Sequence, residues 1–394
     1  MKENRALKYT CLFGGGAIRG LAYIGVIRAM EELGIEFDVV GGSSVGSIFA
    51  TLLACGYKSY ELENLFMKVN FDLFRDIHLG FGKNIALCKG GIFVDWLNEL
   101  IEKKHIELKK KNLNFEDLEK ELVIITTNLR TFTTQEFSKS VTPDFEIARA
   151  IRVSSSMPGL MPPFSYNDSD LVDGDLQKAS PMWRLSETLN NSEDRILEFR
   201  LEGSCSDEGK SPIAFLNTIY SCVTDVATDF VIELYGKNDR YDCLRIDTGN
   251  IFFADFNLDK DSRRKLINTG YEQTINYFKN ILPKKKETLI DMYSEIQKYL
   301  KKAYKGLKSN NVEEVQWWFG DLFTTLCEHK EIVDPKIYER IISLKNLTKE
   351  SVSTLLFFHT RFKNLAKLQE EFAQCIEMID NRIVDLKLYN QSIL

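Results

Sequence analysis

The chain has 394 residues, 44% of them hydrophobic, with a formal net charge of −6 and a pI near 5.6. That length and apolar content suffice for one large core, or for a large domain beside a smaller one. The acidic balance argues against nucleic acid as a partner and against broad attraction to anionic lipid, so any membrane contact has to be local.

Eight cysteines are scattered without a CxxC pair, several inside apolar stretches such as KYTCLF. This usage predicts buried free thiols in a reducing compartment rather than disulfides or zinc ligands, and so a cytoplasmic protein with peripheral membrane contact at most. The start MKENRALKYT holds no apolar stretch long enough for a secretion signal. Residues 39–57 carry no charge and imitate a membrane span, but their glycines and hydroxyl side chains divide them into a strand end and a buried helix.

In chain order, Lys8–Phe13 reads as a strand and is followed by a glycine loop. Residues 20–33 then carry apolar side chains at 21, 24, 27, 30 and 33, the spacing of a helix that Gly34 ends. A strand at 37–40 runs into GGSSVGS (41–47). Strand, helix and strand in this order predict two parallel strands joined by a right-handed crossover. Further strands are expected at 122–127, 195–201 and 242–246, with helical stretches between them that include 212–234. The alternation indicates an α/β fold, a layered and mostly parallel sheet flanked by helices, with its site at the carboxyl ends of the strands. After Ile281-Leu282-Pro283 a lysine run opens about a hundred residues that read as helix throughout. The chain therefore divides into a catalytic domain, 1–282, and an all-helical accessory region, 283–394. Within the latter, 287–308 is a basic amphipathic helix that suits either lipid or packing on the catalytic domain, and Trp317-Trp318-Phe319 carries the same ambiguity.

Three segments carry chemistry. FGGGAIRG (13–20) joins the first strand to its helix, and it fails as a nucleotide loop. A dinucleotide fingerprint from Gly14 would need glycine where Arg19 stands, one from Gly15 would need it at Ala17, and a phosphate loop would need Lys-Ser or Lys-Thr at Leu21-Ala22. What remains is either a tight turn or a run of backbone N–H groups able to hold an oxyanion. GGSSVGS contains Gly-x-Ser-x-Gly centred on Ser44, the pattern of a nucleophile elbow, although a serine capping a helix would look alike. LVDGD (171–175) follows AIRVSSSMPGLMPPF (150–164). Asp173-Gly174 is either a hairpin turn or a carboxylate placed to take a proton from Ser44. The second role rests on elimination, because His78, His105, His329 and His359 all lie away from recognisable strand ends.

The order GGGAIRGLAYIGVIRAMEELGI, GGSSVGS, then AIRVSSSMPGLMPPF with LVDGD resembles the patatin-like phospholipases, and KGGIFVDWLNELI (89–101) and NFEDLEKELVIITTNLRTFTTQEFS (114–138) match as well. The resemblance covers roughly residues 8–280. It implies a Ser44–Asp173 dyad in place of a triad, an oxyanion hole from the N–H groups of Gly14, Gly15, Gly16 and Ala17, and an anion-binding or loop-steadying role for Arg19. It further implies a phospholipase A type of acyl hydrolase that needs no metal or other cofactor and works on acyl esters at a membrane surface. A bacterial effector held inactive until a protein or small-molecule activator engages the C-terminal helices is a version of the same reading. A carboxylesterase, triacylglycerol lipase or acyltransferase with the same dyad is the alternative, and an inactive lipid-binding scaffold a third.

Two departures from the family pattern stand out. GGGAIRG places Arg19 one residue later, counted from Gly14, than the commonest version, while the register Gly15-Gly16-Ala17 puts alanine where glycine is usual. The dyad motif usually continues with glycine or alanine, but here Asp175 stands there, a second carboxylate able to raise the pKa of Asp173 or disturb its turn. Asp173 is preferred over Asp175 as the base. The apolar residues of 64–93 are candidates for an acyl channel or a mobile lid, or for ordinary core.

Overall fold

The structure, a computed structural model, describes residues 8–74, 88–178, 195–203, 241–251, 257–330, 332–355 and 359–393, with single positions between 219 and 240. The chain forms two compact units. The first comprises Met1–Gly236 and Tyr241–Asn276, the second Lys237–Arg240 and Tyr277–Leu394.

In the first unit, β1 (Lys8–Phe13) leads through a 3-10 turn (Ala17–Leu21) into α1 (Ala22–Glu32) and β2 (Glu36–Ser43), as the strand–helix–strand pattern predicts. Then come α2 (Val45–Ala54), α3 (Ser59–Phe66), α4 (Gly91–Lys104), β3 (Glu121–Asn128), β4 (Thr133–Ser138) and α5 (Ile147–Ser154). The strands β5 (Phe164–Tyr166) and β6 (Ser169–Val172) precede the short helix α6 (Asp175–Lys178). The unit closes with β7 (Arg195–Glu202), β8 (Tyr241–Asp247) and α7 (Lys260–Asn276). Among the described residues the strands make one sheet in the order β5-β6-β3-β2-β1-β7-β8, with β4 also on β3. The five central strands are parallel, β4 and β6 run against them, and the edge strand β5 is antiparallel to β6.

The uncharged stretch 39–57 holds the end of β2 and the ten-residue α2, whose Ile48, Phe49, Leu52 and Leu53 are buried. Burying each such side chain contributes about 1.5–3 kcal/mol, which secures α2 against the sheet. No helix among the described residues is long and apolar enough to cross a membrane. The helix expected over 212–234 lies outside the described residues except at scattered positions. Of the seven cysteines described, all are free; Cys11, Cys55, Cys88 and Cys375 are buried, while Cys222 and Cys327 are exposed.

The second unit holds α8 (Leu282–Lys308), α9 (Val312–Glu328), α10 (Pro335–Glu350) and α11 (Leu365–Ile393). The apolar face of α8, including Leu289, Met292, Tyr293, Ile296, Leu300 and Leu307, is buried in this unit's own core with Val315, Phe319, Phe372 and Ile379. That face is therefore neither a lipid face nor reserved for the catalytic domain. Trp317, Trp318 and Phe319 divide on one helix: Phe319 is buried, Trp318 stacks on Tyr299, and Trp317 is 70% exposed.

Two details differ from the sequence expectation. Pro283 ends no helix; it lies in the first turn of α8, directly after a π-helical segment (Tyr277–Ile281). The helices are also interrupted by an antiparallel hairpin of β9 (Val352–Leu355) and β10 (His359–Phe362). SVSTL and HTRF are rich in β-branched residues and poor in helix formers, a local signal four residues long that a hundred-residue helical pattern hides.

Candidate active site

Ser44 sits between β2 and α2 with φ 50° and ψ −129°, a left-handed conformation unusual for a residue with a Cβ. The flanking glycines make this turn sterically feasible. A Cβ on Gly42 would lie 2.3 Å from the Gly46 carbonyl carbon, and one on Gly46 would lie 2.0 Å from the Phe13 carbonyl oxygen. Ser44 occupies the N-cap of α2, yet its side chain makes no capping hydrogen bond. The serine-cap reading of the motif is thus not realised, and Oγ is left to other work.

The sheet register brings the LVDGD segment to this turn. β2 pairs with one edge of β3 as far as Ser43–Ile125, where the chain turns away at Ser44. β6 takes up the same edge two residues further on, at Thr127–Val172, because β4 occupies the other edge. Asp173-Gly174 then folds back over the vacated corner: a Cβ on Gly174 would meet the Ile125 carbonyl oxygen at 2.2 Å and Ser43 Cβ at 3.0 Å. Asp173-Gly174 is therefore not a hairpin turn. The hairpin of β5 and β6 turns at Asn167-Asp168, both with positive φ.

Ser154, at the end of α5, ties the two segments together. Ser44 N–H donates to Ser154 Oγ (2.9 Å), Ser154 Oγ–H donates to the Ile125 carbonyl (2.6 Å), and Gly174 N–H donates to the Ser154 carbonyl (3.1 Å). Asp173 N–H donates to the Ser156 carbonyl (3.0 Å), and Asp173 Oδ1 accepts Asp175 N–H (2.9 Å). The Ser154-Ser155-Ser156 run lies within the segment 150–164 that carries part of the family resemblance, but the sequence assigned it no role. Its role depends on contacts 29 and 110 positions away. Ser44 is 7% exposed and Asp173 fully buried.

The glycine loop caps the carboxyl end of β1. Gly14 N–H donates to the Phe199 carbonyl (3.0 Å) and so extends the β1–β7 ladder by one rung, while Gly15 N–H hydrogen-bonds to the Asp175 carboxyl. Two of the four expected oxyanion donors are thus already committed. Gly16 (φ 144°) and Ala17 (φ 47°) open the 3-10 turn, whose first internal bond is Arg19 N–H to the Gly16 carbonyl. The N–H groups of Gly16 and Ala17 precede that bond and find no acceptor within the turn. Arg19 is buried, and its Nε donates to the Ile251 carbonyl (2.8 Å), so the guanidinium anchors the turn to the chain beyond β8.

Asp175 departs furthest from the expected pattern. Its buried carboxyl accepts a short hydrogen bond from Ser43 Oγ–H. Burial pushes this carboxyl up from the ordinary aspartate range, while Arg200, Ser43 Oγ–H and Gly15 N–H pull it back. His105 Nδ1 lies 3.1 Å from the Ile101 carbonyl at the end of α4, His329 caps α9 and His359 opens β10. His78 lies outside the described residues, as does 75–87 of the proposed channel or lid. The described part of that stretch builds an aromatic cluster in which Phe66, Phe71, Phe74, Phe93 and Trp96 pack ring on ring, continuous with Phe49 of α2. Among the described residues no group of acidic, histidine or cysteine side chains could hold a metal ion.

Comparison with known proteins bears on the same segments. Residues 12–183 match the family model for patatin-like phospholipase, a span that holds the glycine loop, the elbow and LVDGD. Protein YqhO of Bacillus subtilis is 25% identical over 295 residues, 68% of this chain and 97% of YqhO. Lysophospholipase NTE1 of Saccharomyces cerevisiae is 31% identical over 169 residues, 41% of this chain and 9% of NTE1. VipD from Legionella pneumophila shares the fold with a TM-score of 0.52 at 14% identity, covering 98% of this chain and 90% of VipD. Residues 12–183 thus carry a match to the patatin-like phospholipase family, and the chain's relatives include proteins named as a lysophospholipase and a probable lipid hydrolase.

Proposed function

We propose that the protein is a serine acyl hydrolase of the phospholipase A type, with Ser44 as nucleophile and Asp173 as base. The observation that carries this reading is the strained, uncapped Ser44, tied through Ser154 to the turn that bears Asp173. Asp173 takes the Ser44 Oγ proton as Oγ bonds to the ester carbonyl carbon, and the Gly16 and Ala17 N–H groups receive the oxyanion. Each such donor is worth about 3–4 kcal/mol where it has been measured. Collapse of the tetrahedral species breaks the ester C–O bond, and Asp173 returns the proton to the leaving alcohol. Water, deprotonated by the same carboxylate, then releases the fatty acid from Ser44. Arg19 steadies the loop by its bond to Ile251. No step requires a metal.

The substrate class follows from the family and from the aromatic cluster leading away from Phe49, a surface suited to an acyl chain at a cytoplasmic membrane face. Residues 283–394 serve as an accessory region through which a protein or small molecule could control the catalytic domain, 1–282. Acyl release from mixed phospholipid vesicles, measured beside release from a short soluble ester, tests the reading. Wild type should release fatty acid from vesicles, and Ser44→Ala and Asp173→Asn should not. Equal turnover of the soluble ester and none of the vesicles would replace phospholipase by carboxylesterase.

A further inference from the structure

Asp175 stands where a small residue is usual, next to the proposed base. Buried carboxylates persist when their oxygens are matched by donors and cations. Here each oxygen has its own employment. Oδ1 accepts Ser43 Oγ–H, and Oδ2 lies so close to Gly15 that a Cβ there would sit 1.6 Å from it. Gly15 N–H hydrogen-bonds to the same carboxyl.

Below the loop, Arg200 of β7 fills the space next to Gly14, where a Cβ would meet Nη1 at 2.7 Å. Arg200 Nε is 2.6 Å from Glu198 Oε1, and Tyr241 Oη–H of β8 donates to Glu198 Oε2 (2.6 Å). Asp175, Glu198, Arg200 and Tyr241 are all buried. Burial works against the charge on Arg200, but Glu198 and Asp175 hold its pKa above the ordinary value. A line of buried charge thus runs from β8 through β7 to the underside of the glycine loop and on to β2.

We propose that Asp175 is a positioning residue for the glycine loop: by holding Gly15 N–H and Ser43 Oγ–H at once, it fixes the loop after β1 to the strand that carries Ser44, and leaves the Gly16 and Ala17 N–H groups for the oxyanion. This deepens the proposed function and rests on its assignment of nucleophile and base. The same geometry excludes Asp175 from the base role, since both its oxygens serve neighbours that must stay fixed during the reaction. It also explains why positions 14 and 15 are glycine in this chain: the Arg200 and Asp175 side chains occupy the space that side chains there would need.

The test compares Asp175→Gly, which removes the brace, with Asp175→Asn, which keeps an oxygen acceptor, in the full-length chain. Hydrogen exchange over residues 13–21 reads the loop without requiring turnover. It should quicken about tenfold or more in Asp175→Gly and stay near wild type in Asp175→Asn, as expected when one hydrogen-bonded brace opens locally. The kcat per Ser44 titrated by a fluorophosphonate should fall about ten- to a hundredfold in Asp175→Gly, with KM changed less than about threefold, because oxyanion donors act in the transition state. Asp175→Asn should recover most of that loss. A merely structural role would lower the number of titratable sites and leave turnover per site alone.

If Asp175→Gly does not fold, Ser43→Ala, which removes one of the two partners, decides instead: its loop exchange should rise about threefold. Unchanged exchange over 13–21 in the folded variant overturns the proposal. So does an Asp175→Asn variant as inactive as Ser44→Ala while Asp173→Asn still turns over, for then Asp175 is the base. Activity surviving in Ser44→Ala would overturn the nucleophile assignment alone, and the exchange result would still decide what Asp175 holds.

Discussion

Two loops meet at this site, and they are held by different physics. The elbow around Ser44 is fixed by close packing and neutral hydrogen bonds: Gly42 against Gly46, Gly46 against Phe13, and Ser154 beneath the backbone N–H of Ser44. The glycine loop is fixed by buried charge, with Asp175 under Gly15, Arg200 under Gly14 and Glu198 behind Arg200. A steric turn is insensitive to protonation, whereas a charge-held loop answers to every group in its network. In the proposed mechanism the nucleophile stands on the first kind of support and the oxyanion donors on the second.

The largest break in this comparison should come from the chemistry itself. Asp173→Asn should lower kcat about ten-thousandfold, as loss of the base partner does in related serine hydrolysis, with a melting temperature close to wild type; steady-state kinetics and calorimetry check both. Next, Glu198→Gln removes one of the two buried carboxylates beside Arg200 and leaves Asp175. Breaking a buried ion pair costs about 3–5 kcal/mol, an upper figure here because Asp175 remains, and urea unfolding should read the loss. Gly46→Ala breaks the elbow by packing alone. Its Cβ would lie 2.0 Å from a backbone oxygen that cannot swing away, so a loss of about 3 kcal/mol is expected, of the same size at every pH tested.

Ser154→Ala is a milder way to sharpen the contrast. It leaves Ser44 N–H without its acceptor and should cost about 1–3 kcal/mol, with turnover falling more than KM changes. The smallest effect is the pH dependence of Asp175. Its carboxyl is raised in the folded chain, chiefly by burial, against the pull of Arg200, Ser43 Oγ–H and Gly15 N–H. Its contribution to stability is therefore fully present below the ordinary aspartate range and is lost as pH rises through its raised value. Asp175→Asn cannot ionise. Its melting temperature relative to wild type should accordingly be higher near neutral pH than in acid, while Gly46→Ala shows a constant difference.

The elbow was legible in the sequence because everything it needs is local. Two glycines at fixed offsets from a serine, a strand before and a helix after, all fall within twenty residues, and the structure places β2, Ser44 and α2 accordingly. The parallel central sheet was legible for the same reason: each strand–helix–strand unit carries its own periodicity. What brings the Asp173-Gly174 turn to the strand that carries the elbow was not. It depends on β6 taking the edge of β3 that β2 leaves, a register that no local pattern encodes. Asp175 read as a defect in a motif because its partners Gly15, Ser43 and Arg200 lie on three other elements. The Asp-Gly pair suggested a hairpin, whereas the hairpin formed at Asn167-Asp168, equally suited to positive φ and set between two short strands. In the second unit, the eight residues of β9 and β10 were lost in a long helical pattern.

Covalent capture of the nucleophile tests the central claim most directly. The full-length protein is treated with a lipid-like fluorophosphonate, digested, and the adduct mapped by mass spectrometry in wild type and in Asp173→Asn. The account predicts one adduct, on Ser44, formed at least about a hundredfold more slowly when Asp173 cannot accept a proton. An adduct on another residue, or labelling of Ser44 at the wild-type rate in Asp173→Asn, would contradict it.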